Sequence, residues 1–115
     1  MAYGTRVGFD PVREVAFGSV TGSYTAVGAP TTDHSRIIHI VSTLSTDVYI
    51  SIDGVVDHLR IAGGGFVLFD FSTNKIHDDG LFLKEGTIFY VKQTSAGAPA
   101  SGNLWIEVVY GQGGV

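Results

Sequence analysis

The chain has no cysteine, only 3 prolines, a single tryptophan and few charges, which make up 16% of its 115 residues. Without cysteine there is no disulfide framework, no thiolate zinc or iron–sulfur site and no thiol nucleophile, and the composition fits assembly in a reducing cytosol. No apolar run approaches the length of a membrane span. The opening MAYGTRVGFDP also lacks the apolar core of a signal peptide. Basic residues are scattered: 7 Lys and Arg stand against 11 Asp and Glu, a net charge of −4. Nucleic-acid binding normally shows a clustered basic surface, and none is written here. The expectation is a soluble, cytosol-made protein with no direct contact with nucleic acid or membrane.

Glycine and branched or aromatic residues are plentiful: 16 glycines in a chain that is 44% hydrophobic. Such a chain is too apolar to be disordered and long enough for one core. Helical periodicity is nearly absent. Short runs rich in Val, Ile, Phe and Tyr recur, bounded by Gly, Asp, Asn or Ser. They predict strands over 14–20, 36–42, 48–52, 55–61, 66–71, 87–93 and 104–110, with an eighth at 81–83. Seven or eight short strands at this spacing indicate an all-β sandwich or barrel. The first 30 residues carry one fair strand among small, loop-forming residues. They read either as an edge strand with loops or as an arm that orders against a neighbouring subunit. Residues 31–111 form the sandwich domain, and 112–115 read as a flexible tail.

The stretch VYISIDGVVDHLRIAGGG invites functional readings that the strand pattern weakens. With Asp53-Gly54 as a two-residue type I′ turn, Ile52 faces Val55, Ile50 faces Asp57 and Val48 faces Leu59. Asp47 and Arg60 then form an opposite-charge pair worth about 0.2–1 kcal/mol. Asp57 and His58 point to opposite sides of a strand and cannot act as a dyad. Asp57 on the apolar side predicts a bulge, an exposed edge or a partner donor. The run Gly63–Gly65 precedes a strand, whereas a phosphate cradle needs a helix.

Other chemistry is thin. His39 shares a side with Ile37 and Val41, as a packed or interface histidine does. His34 and His77 sit in loops beside Asp33, Asp78 and Asp79, without metal-ligand spacing. The three glutamates, Glu14, Glu85 and Glu107, make no recognisable pair, and there is no G-x-S-x-G elbow. Neither a catalytic centre nor a bound metal or cofactor is expected.

The aromatic strands say more. In FVLFDF, Val67, Phe69 and Phe71 share one face, with Phe66 and Leu68 on the other. In LWIEVVY, Leu104, Ile106, Val108 and Tyr110 line one face, opposite Trp105, Glu107 and Val109. Outer faces of a sandwich should be polar, so an outer face of Phe, Trp and Val points to cover by a second chain or by the N-terminal region.

The ISIDG hairpin, the L-x-x-G-T-x-x-Y-V-K step from Leu83 to Lys92 and the closing SGNLWIEVVYG strand resemble the small all-β virion proteins of tailed bacteriophages. The likeness covers Arg36 to Gly111. It implies a single-domain, jelly-roll-like β-sandwich with an extended N-terminal segment, acting without catalysis as a capsid decoration or cement protein. It implies a place on the virion exterior, with the major capsid protein and further copies of the chain as partners. A head–tail connector or tail component is the alternative. Contacts would draw on Arg6, Phe9, Arg13, Phe17 and Tyr24 of the N-terminal segment and on Trp105. Two other classes compete: a carbohydrate-binding module using Trp105, Tyr49 or Tyr90 as a platform, and a metal-dependent enzyme of the cupin type.

Overall fold

The computed structural model describes residues 6–70 and 83–112, with backbone alone at 6, 7, 111 and 112. The described residues form nine strands: β1 (Arg6–Phe9), β2 (Arg13–Ala16), β3 (Thr25–Val27), β4 (Ser35–Ser42), β5 (Val48–Ser51), β6 (Leu59–Ile61), β7 (Phe66–Asp70), β8 (Phe89–Gln93) and β9 (Asn103–Gln112). Among the described residues the only helical element is a 3-10 turn at Phe17–Ser19. No described helix is long and apolar enough to cross a membrane.

The strands form two antiparallel sheets. In the first, β9 pairs with β4, and β4 with β7, while β1 and β2 lie one after the other along the far edge of β9. The second runs β3-β8-β5-β6. The chain changes sheet at every connection except β1 to β2 and β5 to β6. This interleaving is the jelly-roll order, with β1 and β2 sharing the place of its first strand.

Period-two alternation selects the core. Ile38 and Ile40 of β4 and Leu104, Ile106 and Val108 of β9 turn inward to meet Val48 and Ile50 of β5 and Phe89 and Val91 of β8. Each fully buried aliphatic side chain contributes about 1.5–3 kcal/mol relative to exposure. Val15, Val20 and Val27 are also buried. The segment before residue 31 therefore supplies edge strands to both sheets and side chains to the core. The strand expected at 81–83 and the tail at 112–115 fall mostly outside the described residues. Leu83 itself makes an isolated bridge to Ser35.

The β5–β6 connection differs from the expected two-residue turn. The observed partners are Val48 with Ile61, Tyr49 with Arg60 and Ile50 with Leu59, so residues 52–58 form a longer loop. The register has moved by two residues, which keeps Leu59, Arg60 and Ile61 on their expected faces and releases Asp57 to reach Lys92 on the outer one. The cause is Asp57: the tight turn would press its carboxylate against Ile50 in the core, and the longer loop puts Leu59 there instead. Side chains then satisfy the loop backbone. Ser51 Oγ accepts from the amides of Asp53 and Gly54, and Asp53 Oδ1 accepts from those of Val55 and Val56, at 2.8–3.2 Å. These bonds to the ionised form hold the Asp53 carboxyl down to about 2.

The glycine run is the crossover from β6 to β7. Gly64 has φ +74°, and a Cβ on Gly63 would lie 2.9 Å from the Leu44 carbonyl oxygen. It is a turn between strands, with no helix behind it.

Candidate interaction face

Strand register arranges the outer face of the first sheet as a grid. Across the strands, one row holds Phe9, Val109, Ile37 and Asp70. The next holds Glu107, His39 and Leu68, and the third holds Glu14, Trp105, Val41 and Phe66. Phe9 is 74% exposed, Phe66 71%, and Leu68 and Val12 56% each. This is the face the alternation marked as apolar, and among the described residues nothing covers these four side chains.

The polar groups within it are few and aimed at one another. His39 Nδ1 lies 2.8 Å from Glu107 Oε1, and the His39 ring meets Phe66 edge-on, centroid to centroid at 5.8 Å. A carboxylate oxygen accepts, so Nδ1 carries the hydrogen of this bond. Glu14 accepts from the Asn103 side-chain amide. Where the chain leaves β1 for β2, the sheet opens into a cleft of about 360 Å³ between Phe9, Val12, Ile37, His39 and Glu107.

The six residues expected at a partner contact separate. Phe9 and Trp105 share the apolar face. Phe17 is exposed just beyond β2, where its amide bonds the Gly102 carbonyl. Arg6 pairs through its backbone with Gln112.

Arg13 is a correction: it points inward and is only 6% exposed. Its guanidinium bonds Asp10 at 3.0 Å and the carbonyls of Ala29 and Pro30 at 3.0 and 3.2 Å, and lies over the Phe89 ring. Thr32 donates to the other oxygen of Asp10. Arg13 therefore ties β2 to the loop after β3. Gly28 makes room for it, since a Cβ there would stand 2.7 Å from Arg13 Cγ. Nothing in local sequence marks this arginine as buried, because its partners come from the chain 16 and 17 residues away.

Tyr24 lies on the opposite side of the molecule, on the outer face of the second sheet. There Lys92 sits over the Tyr24 ring at 4.6 Å and 5.7 Å from the Tyr49 centroid, and bonds Asp57 at 3.1 Å. The Tyr24 hydroxyl donates to Asp57. Partial burial, then this bond, raises the Tyr24 phenol well above its usual range, while the Tyr24 and Lys92 donors lower the Asp57 carboxyl. Arg60 completes the row; it stands opposite Tyr49 instead of Asp47, and the expected ion pair with Asp47 forms diagonally. His58 turns elsewhere and accepts from the Ile52 amide.

The aromatic sugar platform loses its geometry. Trp105 is on one sheet and Tyr49 and Tyr90 on the other, so these aromatics form no common platform. Lys92 lies against the Tyr24 and Tyr49 rings, and Gly54 packs on the Tyr90 ring. His34 accepts from the Glu85 amide, and His77, Asp78 and Asp79 lie outside the described residues. No group of three or more metal-ligating side chains forms among the described residues. Sequence reading missed Val12, Phe66, Leu68 and the His39–Glu107 pair as site members. The alternation in FVLFDF held the signal for Phe66 and Leu68.

Comparison of the chain with protein-family models, with curated proteins and with solved structures finds no match. The functional reading therefore rests on the fold, this face and the sequence motifs.

Proposed function

We propose that this chain is a non-enzymatic structural protein of a tailed-bacteriophage virion, a decoration protein that clamps the outside of the capsid through its β1/β2-β9-β4-β7 face. The observation that carries the reading is Phe9, Val12, Phe66 and Leu68 gathered, exposed, on one sheet of a jelly roll. A face of this kind supports function by being covered, because large apolar patches are rare on free monomers. Burial at a joint between capsomers contributes about 1.5–3 kcal/mol for each large side chain fully covered. Many copies on a symmetric shell multiply such modest contacts.

Sedimentation of the purified protein with separated phage heads and tails tests this directly. Saturable co-sedimentation with full heads is expected. Binding to tails alone would move the protein to the head–tail connector or tail, and binding to neither would end the virion reading.

A further inference from the structure

The cleft where β1 gives way to β2 has apolar walls in Phe9, Val12 and Ile37, and two hydrogen-bond acceptors at one side. Glu107 Oε1 is taken by His39 Nδ1, while Glu107 Oε2 and His39 Nε2 make no hydrogen bond with any described residue. In the neutral ring, with Nδ1 donating, Nε2 is an acceptor, so the cleft offers acceptors in need of donors. Asp10 at the floor adds no free charge, because Arg13 and Thr32 occupy both its oxygens. Of the charged residues lining the cleft, Asp10 is matched by Arg13, which leaves Glu107 at the opening; Asp70 stands at the end of the Ile37 row and Glu14 in the row beyond Glu107.

The complement of such a cleft is a side chain with an apolar stem and a cationic, multiply donating head. We propose that it receives an arginine of the partner. The stem packs on Phe9 and Val12, and the guanidinium bridges Glu107 Oε2 and His39 Nε2. The partner's neighbouring apolar residues lie over Trp105, Phe66 and Leu68. Arginine is favoured over lysine because its planar fork reaches two acceptors at once and is more easily desolvated. A second copy of the chain is the poorer occupant. Two copies face to face would set the acids of one face, Glu107 and Glu14, against those of the other. This assignment rests on the reading of the face as the partner surface.

The test titrates the full chain, ¹⁵N-labelled, with acetyl-Leu-Arg-Leu-amide and with its citrulline and norleucine counterparts. Shifts centred on the amides of Phe9, His39 and Val109 are expected with the arginine peptide. Affinity should fall about tenfold with citrulline and about tenfold again for the arginine peptide on Glu107→Gln. Equal binding of the norleucine peptide, no shift at the cleft, or indifference to Glu107→Gln overturns the assignment. Self-association lost in Leu68→Ser but not competed by the arginine peptide overturns it in favour of a second copy. Head sedimentation separates the two levels. If Leu68→Ser releases the protein from heads and Glu107→Gln does not, the arginine assignment fails and the decoration reading stands. If the peptide binds the cleft but heads do not bind the protein, the reverse holds.

Discussion

On the outer face of the β3-β8-β5-β6 sheet, charges are matched inside the chain. Lys92 rests on Tyr24 and Tyr49 and reaches Asp57, while Arg60 reaches Asp47. On the outer face of the other sheet, four large apolar side chains stand exposed around one His–Glu pair. Both sheets pack on the same core, so the core does not impose the difference. The charges of the first surface are satisfied within a single chain, and its exposed apolar side chains, Ile52, Val55 and Val56, are confined to the 52–58 loop. The other face exposes Phe9, Phe66 and Leu68 on the strands themselves. Edge charges and loop tethers belong to the first, as devices that keep a sheet out of unwanted pairings.

The largest effect should come from removing the support both faces share. Arg13→Ala leaves Asp10 buried without its cation and is expected to lower stability by about 3–5 kcal/mol in urea unfolding. A smaller loss would mean that Asp10 finds water, and that the two faces are not braced at this point.

Next in size is a change confined to the apolar face. The double variant Phe66→Ser, Leu68→Ser should weaken attachment to heads by roughly 10- to 100-fold, as the loss of two large apolar anchors does. Its unfolding free energy should move by only about 0.5 kcal/mol, as for exposed positions. Tyr49→Ser on the other sheet should leave attachment unchanged, and an equal loss there would erase the contrast.

Lys92→Ala should cost about 0.5–2 kcal/mol of stability through its two ring contacts. It should speed amide exchange across residues 52–58, which lose the Asp57 anchor, without altering attachment.

The smallest effect is a pH response in that loop. Asp53 titrates near 2 in the folded chain, below its ordinary value. Its contribution is therefore present above the unfolded pKa of about 4 and is lost as pH falls from about 4 towards 2. Carbon-13 titration of its carboxyl should give a midpoint near 2, rising only part of the way towards its ordinary value in Ser51→Ala, which keeps the larger bonds from the Val55 and Val56 amides.

Much of the sandwich was legible from alternation alone. β4, β7 and β9 carry long period-two patterns, and their inward and outward sets were read correctly because parity survives small errors in strand ends. β1 and β3 were missed: RVGF and TAV are too short for periodicity, and they become strands by pairing with β9 and β8. The hairpin register was missed for a different reason. Asp-Gly is a strong local turn signal, but a carboxylate facing the core overrules it. Arg13 looked like a surface cation, and only the fold shows the carbonyls that enclose it.

The ten-residue strand β9 has a further consequence, in the order of events during folding. β1 and β2 pair with it alone and β4 pairs with it along one edge, and Phe9 finds its partner only at Val109. The first sheet therefore lacks its centre until the ribosome has released residues 103–112. The chain must close its longest loops before the sheet can gain cohesion, which is the signature of a slow folder on the millisecond-to-second scale. Until then β7 has only β4 beside it and the second sheet has no complete opposite layer to pack on, so yield in the cell should depend on temperature and synthesis rate more steeply than the finished sandwich's stability would suggest.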